Sequence, residues 1–253
     1  MKVFSSHTRI LLLVIYYIIH KNFFFGIIYK IFFKSFYYKN LVFNLTSFRI
    51  PISNYSSFFF KTYEYNDRIL IERYINKNNK CIVIGGGLGF IASLCFLKSK
   101  KNIIVFEIDK SICDNLSKNL QRNSCKFFLY RKNLLINNNF LKKKYTYFFY
   151  HNNFLSNSIY RKSNKRFRVE NIFSNNIPNF KKFNTLVIDA EGIEEYYINN
   201  IKFLNNIDFL FFELHYDLLN SKKIERINKI LKKNNFSLVD KCFNSFFYKR
   251  NFL

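Results

Sequence analysis

A chain of 253 residues, 49% of them apolar, can bury a sizeable core, which excludes a disordered tail or a linker. Its 41 Lys+Arg against 16 Asp+Glu give a net charge of +25, which invites an acidic partner such as nucleic acid or an anionic membrane. The basic residues run along the whole chain instead of clustering, and the abundance of Lys, Asn, Ile, Phe and Tyr follows AT-rich codon usage, so the charge marks no specific nucleic-acid binder.

In chain order, ILLLVIYYII at residues 10–19 follows Arg9 and is broken by Lys21 before FFFGIIY at residues 23–29. That run is about half of what a spanning helix needs. It predicts a pair of amphipathic helices packing on the domain, on a partner or on a membrane surface. Residues 1–60 therefore read as a hydrophobic, aromatic helical extension, and residues 61–253 as the main domain. In NDRILIERYI, residues 66–75, Ile69, Leu70 and Tyr74 fall at helical spacing with Asp67 near the helix start. KCIVIG at 80–85 and NIIVFE at 102–107 read as buried strands, with helices over 88–97 and around Ile112, Leu116 and Leu120. KFFLY at 126–130 predicts a third strand, and residues 131–182 hairpins and loops. Strands follow at 184–189 and 208–214, helices at 193–204 and 222–233, and a closing antiparallel pair at 236–240 and 245–250. Strands alternating with helices imply a mainly parallel α/β sheet covered on both faces, with ligands bound at the carboxyl ends of its strands. The five cysteines are odd in number and include no CxxC, which predicts buried thiols in a reducing compartment.

Only 6 glycines occur in the chain, and four of them fall in CIVIGGGLGF, residues 81–90. Glycine there frees the backbone for a strand-to-helix turn and lets a ligand approach it closely. The dinucleotide pattern G-x-G-x-x-G fails at Phe90, and no Lys-Ser/Thr pair follows for a P-loop. Gly85, Gly87 and Gly89 satisfy G-x-G-x-G, the spacing of the cofactor loop of S-adenosylmethionine (SAM) methyltransferases. A tight turn without a ligand is the bland alternative. Glu107 ends the next strand about twenty residues on, where an acid accepts hydrogen bonds from ribose hydroxyls. Two more acidic groups follow strands. DAEGIE, residues 189–194, brings Asp189 and Glu191 to a strand end, and FELH, residues 212–215, puts Glu213 and His215 on one side of an extended chain. A helix N-terminus explains Glu194 but not Asp189 and Glu191.

The elements YEY, VIGGGLGF, VFEID, TLVIDAEGIEE and FFELH, in this order over roughly residues 60–250, resemble the FkbM family of SAM-dependent methyltransferases. The most specific part is D-x-E-G-x-E, here Asp189, Glu191, Gly192 and Glu194. The resemblance implies a Rossmann-like seven-stranded methyltransferase fold with an antiparallel C-terminal strand pair, and O-methylation of a sugar, glycan or other small hydroxylated product. It also implies SAM as cofactor, with Gly85, Gly87 and Gly89 as cofactor loop, Glu107 on the ribose and Glu64 near the cofactor. One departure is Val83, which stands where the family carries an acid two residues before the first loop glycine.

Methyl transfer requires alignment of the acceptor and removal of its proton. Asp189, Glu191 and His215 are the expected catalytic group, with His215 or a carboxylate as base. A divalent ion on Asp189, Glu191 and Glu213 is conceivable by ligand chemistry, but a metal-free site is the favoured reading. A catalytically weakened methyltransferase-like binding protein is the alternative, favoured by Val83. The expected partner is a small-molecule or glycan acceptor, with no specific nucleic acid. The expected location is cytoplasmic, with peripheral membrane contact through the N-terminal segment.

Overall fold

The computed structural model describes residues 22–46, 48, 50–136, 144–149, 165–190, 194–214 and 221–251. Helix α1 (Phe23–Phe32) is capped by Asn22, whose side chain accepts from the Phe24 and Phe25 amides. A hairpin of β1 (Ser35–Tyr38) and β2 (Leu41–Asn44) follows, then α2 (Ile52–Phe59) and α3 (Tyr65–Tyr74). The regular part alternates β3 (Cys81–Ile84), α4 (Phe90–Ser99), β4 (Ile103–Phe106), α5 (Lys110–Arg122) and β5 (Phe127–Tyr130). Strands β6 (Asn133–Leu135), β7 (Tyr145–Phe149) and β8 (Arg166–Phe173) form a separate small sheet, order β6-β8-β7. Then come β9 (Thr185–Ile188), α6 (Glu194–Asn199), β10 (Phe209–Glu213), α7 (Ser221–Lys233), β11 (Phe236–Cys242) and β12 (Ser245–Arg250).

The main sheet has seven strands in the order β11-β12-β10-β9-β3-β4-β5. Strands β10, β9, β3, β4 and β5 pair in parallel, and β12 runs antiparallel to both β10 and β11. This is the Rossmann-like α/β sheet, with its antiparallel edge, that the strand pattern predicts. The chain reverses its direction of travel across the sheet between β3 and β9, which makes their carboxyl ends the switch point where such sheets take ligands.

Alternation along the strands sorts the core into two layers. Cys81, Val83, Val105, Val187, Phe211 and Phe247 face α3, α4 and α5, while Ile82, Ile84, Ile104, Leu186, Ile188 and Phe212 face α6, α7 and the small sheet. Four of the five thiols are buried, and all five are free. The thiols of Cys95 and Cys113 are pushed above their ordinary range by burial, that of Cys113 to about 12.

The segment before residue 61 departs from the helical extension expected. Its middle is the hairpin β1–β2, which turns at Lys39, where φ is 50°, and buries Phe36, Leu41 and Phe43 on one face. Phe36, Phe43, Tyr55 and Phe58 share the core of α3 and α4, and Phe36 and Phe43 pack on Phe90 with ring centroids 5.5 and 5.4 Å apart. The outer edge of β2 meets α5. Asn123 Oδ1 accepts from the Val42 amide at 2.8 Å and Asn123 Nδ2 donates to the Val42 carbonyl at 2.9 Å. One turn earlier, Asn119 does the same for Asn44, at 2.8 and 3.3 Å, and donates to the Leu88 carbonyl of the glycine loop at 3.0 Å. Among the described residues no helix is long and apolar enough to cross a membrane. The apolar run at residues 10–19 lies outside the described residues, as do Glu191 and His215.

Candidate ligand site at the switch point

The glycine loop leaves β3 at Gly85, where φ is +90°, and a Cβ would stand 1.8 Å from the Asp189 carbonyl oxygen at the end of β9. Neither a side chain nor the backbone can yield there, so close passage of two strand ends dictates this glycine as much as any ligand does. Gly87 and Gly89 also take positive φ, and Gly89 opens α4. Glu107 is buried beneath the loop. Its Oε2 accepts from the Gly86 and Gly87 amides at 3.0 and 3.1 Å, and its Oε1 from the Asp109 amide at 2.9 Å. Burial raises its carboxyl above the ordinary value, against the pull of those three amides. Asp109 in turn caps α5 through Ser111 N, 2.8 Å away. Each carboxylate oxygen offers two lone pairs, so Oε1 retains one acceptor position and Oε2 none. That single position is what Glu107 can offer a ribose hydroxyl.

The second half of the site is acidic. Asp189 and Glu213 follow Val187 and Phe211 by two residues, so both point to the α3 side of the sheet. Helix α3 brings Asp67 to the same place. One carboxylate oxygen each of Asp67, Asp189 and Glu213 lie within 4.8 Å of one another. Asp67 is buried, and sequence reading placed it only as a helix-start acid. Its role is invisible in the sequence because it depends on α3 packing across β10 and β12. Glu64 stands at the start of α3 with φ +46° and ψ +39°, a left-handed conformation that an L-residue adopts at a cost. Burial, then the charge of Asp189, holds the Glu64 carboxyl well above the usual carboxylate range, and Glu213 adds to this. Tyr63 is pushed up by burial first, then by Glu64 and by the charge of Asp189. Tyr63 Oη and Glu64 Oε2 are both buried and neither makes a hydrogen bond of good geometry. A chain of amides fixes Glu213: Asn66 Nδ2 donates to Asn244 Oδ1 at 2.7 Å, and Asn244 Nδ2 donates to Glu213 Oε1.

Of the residues singled out from sequence, Gly85, Gly87, Gly89 and Glu107 form one group, and Glu64 and Asp189 lie in the adjoining acidic group. Val83 is completely buried on the face that carries Asp189, so nothing polar replaces the acid within β3 itself. The carboxylates on that face come from α3 and from the ends of β9 and β10 instead.

No protein-family model matches the chain, and no curated protein matches it. Solved structures give distant likenesses. The ribosomal protein L11 methylase from Lactobacillus delbrueckii subsp. bulgaricus is 14% identical over 74% of this chain and 77% of that chain, with a TM-score of 0.46. A methyltransferase from Pyrococcus furiosus is 12% identical over 90% and 95%, with a TM-score of 0.46. M. jannaschii TYW2 in complex with AdoMet is 11% identical over 86% of each chain, with a TM-score of 0.45. Scores this low assign no function; the fold rests on the strand order, and the chemistry on the residues at the strand ends.

Proposed function

We propose that the protein is a SAM-dependent methyltransferase. The observation that carries this is a G-x-G-x-G loop whose amides sit on Glu107 at the switch point of a seven-stranded sheet, beside a cluster of carboxylates. SAM carries a ribose diol and two positive centres, the sulfonium and the ammonium. The remaining acceptor position of Glu107 suits the diol. Glu64 Oε2, buried and without a hydrogen bond of good geometry, suits a cationic end of the same ligand. When bound, SAM supplies an electrophilic methyl group. The chain's own part is to exclude water, to orient the acceptor and to take its proton.

Asp189, at the end of β9, is our choice for orienting the acceptor. Glu191 and His215 complete the catalytic group by sequence, with His215 as base. O-methylation of a sugar or glycan, and membership of the FkbM family, rest on the motif D-x-E-G-x-E at residues 189–194. A second reading, a methyltransferase-like binder without turnover, is favoured by the buried Val83. Contact with an anionic membrane surface is supported by α1, where Phe24 and Phe32 are 66% and 73% exposed beside Lys30 and Lys34.

Calorimetric titration of the whole chain with SAM and with its demethylated product tests the assignment. Binding of either, weakened at least about tenfold in Glu107→Gln, is the expected result. Absence of binding to both removes the methyltransferase reading. Binding without methyl transfer to any hydroxylated acceptor selects the second one.

A further inference from the structure

We infer that Asp67, Asp189 and Glu213 form a binding site for a divalent, oxygen-preferring cation of the Ca²⁺, Mn²⁺ or Mg²⁺ class. Three helix and strand ends meet there: the first turn of α3 and the carboxyl ends of β9 and β10. Their carboxylate oxygens lie within 4.8 Å of one another. Ca²⁺–oxygen distances are roughly 2.3–2.6 Å, so two ligands on opposite sides of the ion stand about 4.6–5.2 Å apart. Mg²⁺ draws its ligands closer, to about 4.0–4.2 Å across the ion, which the same oxygens reach by a small side-chain adjustment. The ligand set is all oxygen and strongly anionic, which suits hard cations and not zinc or copper.

Crowded acids alone do not make a cation site. The independent observation is Ser245. It stands directly across the ladder from Glu213, so its side chain shares the same face of the sheet. Ser245 is fully buried, and its Oγ has no hydrogen-bond partner. A buried hydroxyl without a partner destabilises the fold unless something supplies a bond. Water carried by a hydrated ion beside Glu213 would supply it, because such ions retain part of their water shell. The Asn66–Asn244–Glu213 relay gives the orientation that metal-binding carboxylates need from their neighbours, and Asn66 adjoins Asp67 in sequence.

This inference stands apart from the cofactor reading, and its test is run without SAM. The chelator-treated whole chain is titrated with Mn²⁺, and unbound ion is followed by its paramagnetic resonance signal. One saturable site per chain, displaced by Ca²⁺, is the expected result. Asp67→Asn and Glu213→Gln are each expected to weaken it at least about tenfold, with circular dichroism checking that both fold. Wild-type protein provides a second measurement should either variant fail to fold: Mn²⁺ should broaden the Gly85 amide resonance, beside Asp189, and spare that of Lys249. Absence of saturable Mn²⁺ binding to the wild type overturns the inference. Binding that the folded variants leave unchanged, or that broadens Lys249 as much as Gly85, also overturns it.

Discussion

The two halves of the switch-point site differ in how their polar groups are satisfied. Around the glycine loop, Glu107 and three amides satisfy one another, and the residues involved lie within a few tens of positions in the chain. Across the sheet, Asp67, Asp189 and Glu213 crowd together from three elements, while Tyr63 Oη, Glu64 Oε2 and Ser245 Oγ are buried without a hydrogen bond of good geometry. The first half keeps one open acceptor position, on Glu107 Oε1; the second holds several buried polar atoms without a good hydrogen bond. Buried polar groups in native proteins are nearly always paired, so unmet demand in one place points to a ligand there.

Substitutions can break or sharpen this contrast, and the largest effect belongs to the glycine turn. Gly85→Ala drives a Cβ into the Asp189 carbonyl, and folded protein is expected to be lost or destabilised by about 3 kcal/mol or more in urea denaturation. Val83→Asp, which restores the acid of the resembling family, should lower stability by about 3 kcal/mol, because it adds a buried charge on the face that already carries Asp189. A stable Val83→Asp variant that binds SAM more tightly would show that the acids of α3 do not stand in for that residue. Glu107→Gln keeps one acceptor oxygen for the loop amides, so a loss of about 1–2 kcal/mol is expected, measured by the denaturation midpoint.

Glu64 tests the acidic half through pH. Its carboxyl is raised in the folded chain, so its contribution to stability is fully present below the unfolded value, about 4.3, and is lost as pH rises through the folded value. Wild-type stability in the absence of ligand should therefore fall as pH rises above the ordinary carboxylate range, and Glu64→Gln should flatten that fall. Thermal midpoints across pH 4–8 for both proteins measure it; parallel curves would place Glu64 in water instead. The smallest effect is expected from Phe32→Glu, within about 0.5 kcal/mol by denaturation because the side chain is exposed, while binding to anionic vesicles should drop.

Much of the sheet was legible in the sequence because buried parallel strands read as short unbroken apolar runs, and CIVI, IIVF and TLVI are such runs. The glycine loop was legible for the same local reason. The hairpin at residues 35–44 was not, since phenylalanine and tyrosine occupy both its faces and hide the alternation. Asp67 escaped notice because a carboxylate in a first helical turn has a sufficient local explanation in the helix dipole. Ser245 carries no signal at all in a chain rich in small polar residues; only its position opposite Glu213 gives it meaning. Glu107 was readable as an acid at a strand end, but not the fact that the loop amides already occupy one of its oxygens.

The asparagine pair on α5 has a consequence for how the molecule behaves in a crowd. A two-stranded ribbon normally leaves an open edge that recruits strands from other chains. Here Asn119 and Asn123 present to β2 the alternating acceptor and donor of a neighbouring backbone, at every second residue, so a helix takes the place of the missing strand. Replacing both by alanine would reopen that edge, and the first symptom would be self-association rather than unfolding. In so aromatic a chain, closing the hairpin's edge is a safeguard against aggregation, written in two side chains one helical turn apart.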